Sequence, residues 1–202
     1  MRLKPFIIFI LSILMSTSIV FAKGPKLGKS APSFSLQDVS GKTHKLKDYR
    51  GKYVVLEWTN YDCPFVKKHY NSGNMQSLQK TYTEKDVVWL SINSSAPGKQ
   101  GNFTQDEITK RSKVHGTSFS AYLMDQDGKV GKKYGAKTTP HMFVIDPKGK
   151  LIYMGGIDDV KSTDVNDIAG ATNYVAAALD AALAGKEIVV SSSKPYGCGV
   201  KY

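Results

Sequence analysis

The chain reads as an α/β sandwich: a mixed central β-sheet flanked by helices, with an N-terminal β-hairpin extension. Three observations point there. Tyr53 to Trp58 (YVVLEW) and Val87 to Asn93 (VVWLSIN) are apolar runs of strand length with little polar alternation, the pattern of strands covered on both faces. Each is followed by a stretch with helical character. Late in the chain, Met142 to Asp146 and Leu151 to Met154 flank the turn Pro147-Lys148-Gly149-Lys150, which is a hairpin signature. Strand and helix in alternation, then a hairpin and a last helix, build a mixed sheet with helices packed on it.

Taken in order, the first 22 residues are set apart from the fold. Arg2 and Lys4 form a positive start, Phe6 to Ile19 is nearly all apolar, and Val20-Phe21-Ala22 fits a signal-peptidase site. The apolar run is shorter than the roughly 20 residues of a spanning helix, so a cleaved signal peptide over residues 1–22 is expected. The chain is then extracytoplasmic, in a periplasm or secreted, with no stable membrane span after cleavage. Residues 23–185 are read as one domain and residues 186–202 as a C-terminal tail.

Within the domain, Ser33 to Asp38 and Thr43 to Leu46 make the first hairpin, and Lys47 to Gly51 is a helical turn. After the strand Tyr53 to Trp58 a helix starts at Cys63-Pro64 and runs to about Asn71. Proline suits a first helical turn, where its missing N–H is not needed, and Asp62 is the expected cap. Asn74 is the expected cap of a second piece, Met75 to Thr83. Phe103 to His115 reads as an exposed helix, Tyr122 to Asp125 as a short strand and Gly128 to Tyr134 as a helical turn. Val165 to Leu183 is expected to be one alanine-rich helix ending at Gly185.

The chain carries +11 net charge, but its lysines are spread throughout, and after cleavage only Arg50 and Arg111 remain as arginines. Scattered charge on an exported chain argues against nucleic acid as a partner. Two cysteines in such a chain, Cys63 and Cys198, can form one bridge.

Cys63 holds the chemistry of the reading. A cysteine at a helix start sits at the positive end of the helix dipole, which favours thiolate over thiol; the alternative is a buried, inert cysteine. Glu57, six residues earlier on an apolar strand, is costly there unless paired or protonated. It is a candidate general acid/base, or the partner of a lysine. Trp58, Tyr61 and Phe65 are expected to rim the cysteine. His141 can approach it, and His69 lies nearer the opposite face of the helix. No Cys-x-x-Cys pair or histidine-rich cluster supports a metal site, and no cofactor is expected.

With Cys63-Pro64 after a strand, Thr138-Thr139-Pro140 before another, and Asp125-Gln126-Asp127-Gly128-Lys129 and the late hairpin in the same order of elements, the chain resembles the thioredoxin-like superfamily. The resemblance is to its exported redoxin branch, related to alkyl hydroperoxide reductase and thiol-specific antioxidant proteins, over about Ala31 to Leu183. It implies that Pro140 is cis and lies against the catalytic cysteine, with Thr139 beside it, and that Glu57 takes the place of a buried acid that moves thiol protons. The chain also departs from the pattern. Val66 stands where thioredoxins carry their second motif cysteine, so no local disulfide can close. Asn60, with Thr59 before it, stands where peroxiredoxins carry Thr or Ser, and neither Arg50 nor Arg111 matches their activating arginine. Lys67 or a histidine could substitute for it in part.

Cys198, in Pro195-Tyr196-Gly197-Cys198-Gly199, has glycines on both sides and is read as a thiol on a mobile tail. Such a thiol can resolve a mixed disulfide or sulfenic acid on Cys63. A static Cys63–Cys198 bridge and an intermolecular bridge are the alternatives. Three functions follow. The first is an exported thiol-disulfide oxidoreductase, with Cys63 as nucleophile and a protein thiol or disulfide as partner. The second is a peroxiredoxin-like antioxidant peroxidase acting on a small oxidant such as a hydroperoxide. The third is a non-catalytic binding or chaperone module.

Overall fold

Seven strands form one sheet, and its order follows from which segments are buried on both faces. The structure is a computed structural model that describes residues 24–202, so the expected signal peptide lies outside the described residues. The fully buried strands β4 (Val88–Asn93), β3 (Val54–Trp58) and β7 (His141–Ile145) are consecutive in the sheet, each with a strand on both sides. β1 (Ser35–Asp38), β2 (Thr43–Lys45), β5 (Ala121–Met124) and β8 (Leu151–Gly155) complete the order β2-β1-β5-β4-β3-β7-β8. β3, β4 and β5 run parallel, while β7 is antiparallel to β3 and to β8. The expected N-terminal hairpin is β1–β2, and it extends the sheet beyond β5. A second, two-stranded sheet pairs β6 (Thr138–Thr139) with β9 (Cys198–Gly199).

Successive side chains of β3 go to opposite faces. Val54, Leu56 and Trp58 join Phe34, Leu46, Val130, Tyr134 and Phe143 in one core. Val55 joins Cys63, Tyr70, Met75, Tyr82, Val175 and Leu179 in the other. That second core lies under α1 (Pro64–Asn71), α2 (Asn74–Thr83) and α5 (Tyr174–Leu183). α3 (Gln105–His115) starts on a capping box between Thr104 and Glu107, and α4 (Lys129–Tyr134) packs on the first core.

Several local expectations change. Val165 to Leu183 is not one helix. Val165–Ile168 is a 3-10 turn whose cap Asp164 accepts from Asn166 N at 2.9 Å, and α5 starts afresh at Asn173, which accepts from Ala176 N at 2.9 Å. Two side chains that can satisfy free N–H groups make two starts where alanine content suggested one. Asp62 does not cap α1; its carboxylate takes Arg111 Nη1 at 3.0 Å instead. Gly73 in the left-handed conformation precedes α2, and Asn74 turns its amide to His69.

The tail is docked. Met154 N donates to Ser191 O and Ser193 N to Met154 O, each at 3.2 Å, along the outer edge of β8. Beyond β9, Val200 N donates to Lys137 O (3.1 Å) and Tyr202 Oη to Ala136 O (2.8 Å). The reading of Cys198 as a thiol on a mobile arm is therefore corrected: unpaired strand edges and two tyrosines hold the segment down. No helix among the described residues is long and apolar enough to cross a membrane.

Candidate active site

The site is built where β3 ends. Thr59 N still bonds to Ile92 O of β4 (2.9 Å), and the chain then turns. Asn60 holds the turn: its carbonyl accepts from Cys63 N at 2.9 Å and its Oδ1 from Asp62 N at 3.0 Å. Asn60 is itself held against Gly101, where an added Cβ would fall 2.3 Å from its Nδ2. The turn delivers Cys63, fully buried, as the N-cap of α1 with Pro64 behind it. Helix N-termini concentrate positive partial charge from unpaired N–H groups.

Across from Cys63 stands the segment before β7. The Thr139–Pro140 peptide is cis, and Cys63 Sγ–H donates to Thr139 O at 3.1 Å. In the small sheet Thr139 is the register partner of Cys198. One backbone position thus meets both cysteines, and both thiols are free. Burial first, and then the neighbouring Cys63 thiol, push the Cys198 thiol up to about 11.

Glu57 lies under the helices, wholly buried, with no lysine beside it among its bonded partners. Tyr70 Oη donates to its Oε1 at 2.8 Å, and Trp89 Nε1 (2.8 Å), Ser91 Oγ (3.0 Å) and Gln79 Nε2 (3.2 Å) donate to its Oε2. The lysine ion pair weighed for Glu57 is replaced by this neutral cage. Burial raises its pKa, and the four donors oppose that rise.

The remaining sequence candidates separate. Phe65 stands two residues past the cysteine, in the first turn of α1, with its ring 5.8 Å from that of Tyr196, and Lys67 is exposed. Trp58 is not part of the rim. As a residue of β3 it faces the other core, against Tyr134 and Phe143, with Nε1 on Ser94 Oγ at 3.0 Å. Strand alternation puts it there, one position from Glu57. Tyr61 packs between Tyr70, Tyr122 and His115. His141 packs tilted against Phe143, with ring centroids 4.5 Å apart, and accepts from Lys137 N at 3.2 Å; burial lowers its pKa to about 4. No cluster of three or more His, Cys, Asp or Glu suited to a metal occurs among the described residues.

Tyr196, Asp158 and the reach of Arg111 were not foreseen, and His69, weighed as lying nearer the opposite face of the helix, bonds to the tail and not to Cys63. His69, on the buried side of α1, bonds through Nε2 to Tyr196 Oη at 3.2 Å, and Tyr196 in turn donates to buried Asp158. Arg111 reaches the cysteine turn through Asp62 and covers the Phe103 ring at 4.0 Å. The signal that the tail had something to bury was its apolar residues, Ile188, Val200 and the two tyrosines among them.

The profile of the AhpC/TSA family matches residues 27–154, more than half of the chain. The chain belongs to the AhpC/TSA family. Among curated relatives, Thiol-disulfide oxidoreductase ResA of Bacillus cereus is 31% identical over 134 residues, 65% of this chain and 72% of that protein. The protein of the same name from Geobacillus thermodenitrificans is 30% identical over 125 residues, 62% of this chain and 66% of its own length. Among solved structures, an uncharacterized conserved protein from Geobacillus kaustophilus is 31% identical with a TM-score of 0.76, covering 88% of this chain and 92% of that one. The AhpC/TSA match ends at Met154, so the tail with Cys198 lies outside it. The fold is that of the thioredoxin-like redoxins, a mixed sheet between helices.

Proposed function

We propose that this chain is an exported thiol-disulfide oxidoreductase in which Cys63 is the nucleophile and Cys198 the resolving cysteine. The observation that carries this is Thr139, whose carbonyl accepts from Cys63 Sγ while its backbone pairs with Cys198, so that two free thiols are drawn to one backbone position at a helix N-terminus. The oxidoreductase names of the curated relatives support the reaction class. Export is supported by the N-terminal run of Arg2, Lys4 and Phe6 to Ile19 ahead of Ala22.

The cycle uses residues that the fold keeps together. The Cys63 thiolate attacks one sulfur of a partner disulfide, forming a mixed disulfide as the partner's other sulfur leaves as thiolate and takes up a proton. Cys198 then attacks Cys63 Sγ as its proton passes to the partner's departing sulfur. The Cys63–Cys198 disulfide forms and the partner leaves fully reduced. An external dithiol returns the pair to its thiols. Glu57 serves as a proton reservoir beneath the site. Thr139 and Pro140 align the partner segment, with Asn60 fixing the cysteine turn and Phe65 and exposed Lys67 meeting the partner's surface.

The test is to trap the intermediate. Cys198→Ser incubated with a disulfide-containing protein substrate should accumulate a stable mixed disulfide at Cys63, mapped by peptide mass. The wild type should release it, and Cys63→Ser should form none. A mixed disulfide that clears equally fast in Cys198→Ser and wild type removes Cys198 from the cycle.

A further inference from the structure

The helix that carries Cys63 also holds the tail that carries Cys198, and it does so through a buried polar chain remote from both sulfurs. Asn74 Nδ2 donates to His69 Nδ1 at 2.9 Å, so the neutral ring presents its N–H at Nε2. That N–H donates to Tyr196 Oη at 3.2 Å, and the phenol proton goes to Asp158 Oδ1. Asp158 Oδ1 also takes Val160 N at 3.1 Å, and the residue before His69 on α1, buried Lys68, bonds Val160 O through Nζ at 3.1 Å. His69 and Lys68 therefore clamp the 158–160 loop, and the loop and His69 together clamp Tyr196. His69 uses both ring nitrogens and Asp158 Oδ1 takes two donors, and buried hydrogen-bond networks of this kind favour one geometry.

The spacing gives the clamp its effect. Tyr196 precedes Cys198 by two residues, about 7 Å of extended chain. His69 follows Cys63 by six residues, about 9 Å along the helix. The Tyr196 ring also meets Phe65 edge-on at 5.8 Å. Between clamp and thiol, Gly197 passes directly over Thr139 O, where an added Cβ would fall at 2.1 Å. Anchored at 196 and paired at 198, the tail has no slack left with which to carry its sulfur away.

We propose that Tyr196, with Asp158 and His69, is a positioning latch that sets the effective concentration of the Cys198 thiol at Cys63 and thereby the redox potential of the pair. The inference rests on the resolving reading of Cys198. None of the three touches a reacting sulfur; they act through the tail.

The experiment is a glutathione titration of the full exported chain with thiol trapping and peptide mapping. In the oxidising direction, one Cys63 or Cys198 thiolate attacks oxidised glutathione and releases a glutathione thiolate. The second protein thiolate then displaces the other glutathione, so one glutathione disulfide becomes two thiols as the protein disulfide closes. Tyr196→Phe keeps the ring on Phe65 and removes the hydroxyl. It should lower the equilibrium constant for closure about tenfold, a rise in potential of about 30 mV. Asp158→Asn should shift it in the same direction, and the double variant should add little beyond either single change, because the two side chains act as one unit. Leu179→Ala, in the core under α5, controls for general loosening and should leave the potential in place. A wild type that closes while both latch variants match it overturns the latch alone. A Leu179→Ala shift as large as that of Tyr196→Phe overturns it too. A wild type that never forms the Cys63–Cys198 bond overturns the resolving reading and the latch with it.

Discussion

Glu57 is the residue whose environment makes the sharpest demand. A carboxyl taken wholly out of water is held by four donors, none of them charged. Replacing it by leucine fills the space but strands Trp89 Nε1, Ser91 Oγ, Gln79 Nε2 and Tyr70 Oη away from their acceptor. Glu57→Leu should cost about 3–4 kcal/mol, read as a shift in urea midpoint at unchanged slope. The pH dependence has a definite sign. Burial raises the folded pKa above the ordinary 4.5, so the folded state binds the proton more tightly than the unfolded chain. Its contribution is full below 4.5 and is lost as pH rises through the raised value. Glu57→Gln removes that titration, so a stability-against-pH curve should fall less steeply above pH 4.5 in the variant than in the wild type. Parallel curves would mean that Glu57 has an ordinary pKa. The position of Glu57 was legible in the sequence, because a lone carboxylate in YVVLEW stands out. Its partners were not, since they come from β4 and two helices that only the register brings together. Trp58 was misread for the same reason: without the strand's facing fixed, a residue near Cys63 in sequence looked near it in space.

At the level of elements, β9 is two residues long and was invisible, because no periodicity can show in a pair. What defines it is complementarity to β6, itself only two residues, and a glycine just before it. Gly197 has φ of +137° and rides on Thr139 O. The sequence offered its glycines as a source of freedom, and one of them turns out to permit close approach. Gly197→Ala must push the strand off. The tail should lose its pairing while the main sheet stays intact, at a cost of about 1–3 kcal/mol. Amide hydrogen exchange is the direct readout: Val200 N–H, bonded to Lys137 O at 3.1 Å, should lose protection, while amides of β3 and β4 keep theirs. Unchanged protection at Val200 would show that β9 is held without Gly197. The helical elements were read more accurately, because Pro64 and Gly185 are local signals. The exception, the division of Val165 to Leu183, arose where Asp164 and Asn173 compete with alanine content.

For the molecule as a whole, the tail closes what the sheet leaves open. A strand at a sheet edge exposes unpaired N–H and C=O groups, which other chains can pair with. At one end the sheet finishes in β2, only three residues long. At the other, β8 has its outer side covered by Ser191 to Ser193, and the same segment goes on to the latch and then to β6 over Cys63. The large-scale architecture was readable because buried strands and helix spacing are written over many residues. The tail's path was not, because it depends on surfaces that exist only after the sheet forms. The buried state of Cys63 in the intact chain then has a concrete source: it is covered in part by residues distant in sequence. A chain ending at Gly185 should retain the seven-stranded sheet, checked by far-ultraviolet circular dichroism and cooperative unfolding. Its Cys63 should be alkylated at least about tenfold faster than in Cys198→Ser, where the tail remains and the second thiol is gone, because thiol reactivity follows exposure as well as ionisation. Equal alkylation rates in the two would mean that the cysteine is closed off by α1 and the Thr59–Asp62 turn alone, and that the tail supplies a second thiol without controlling access to the first.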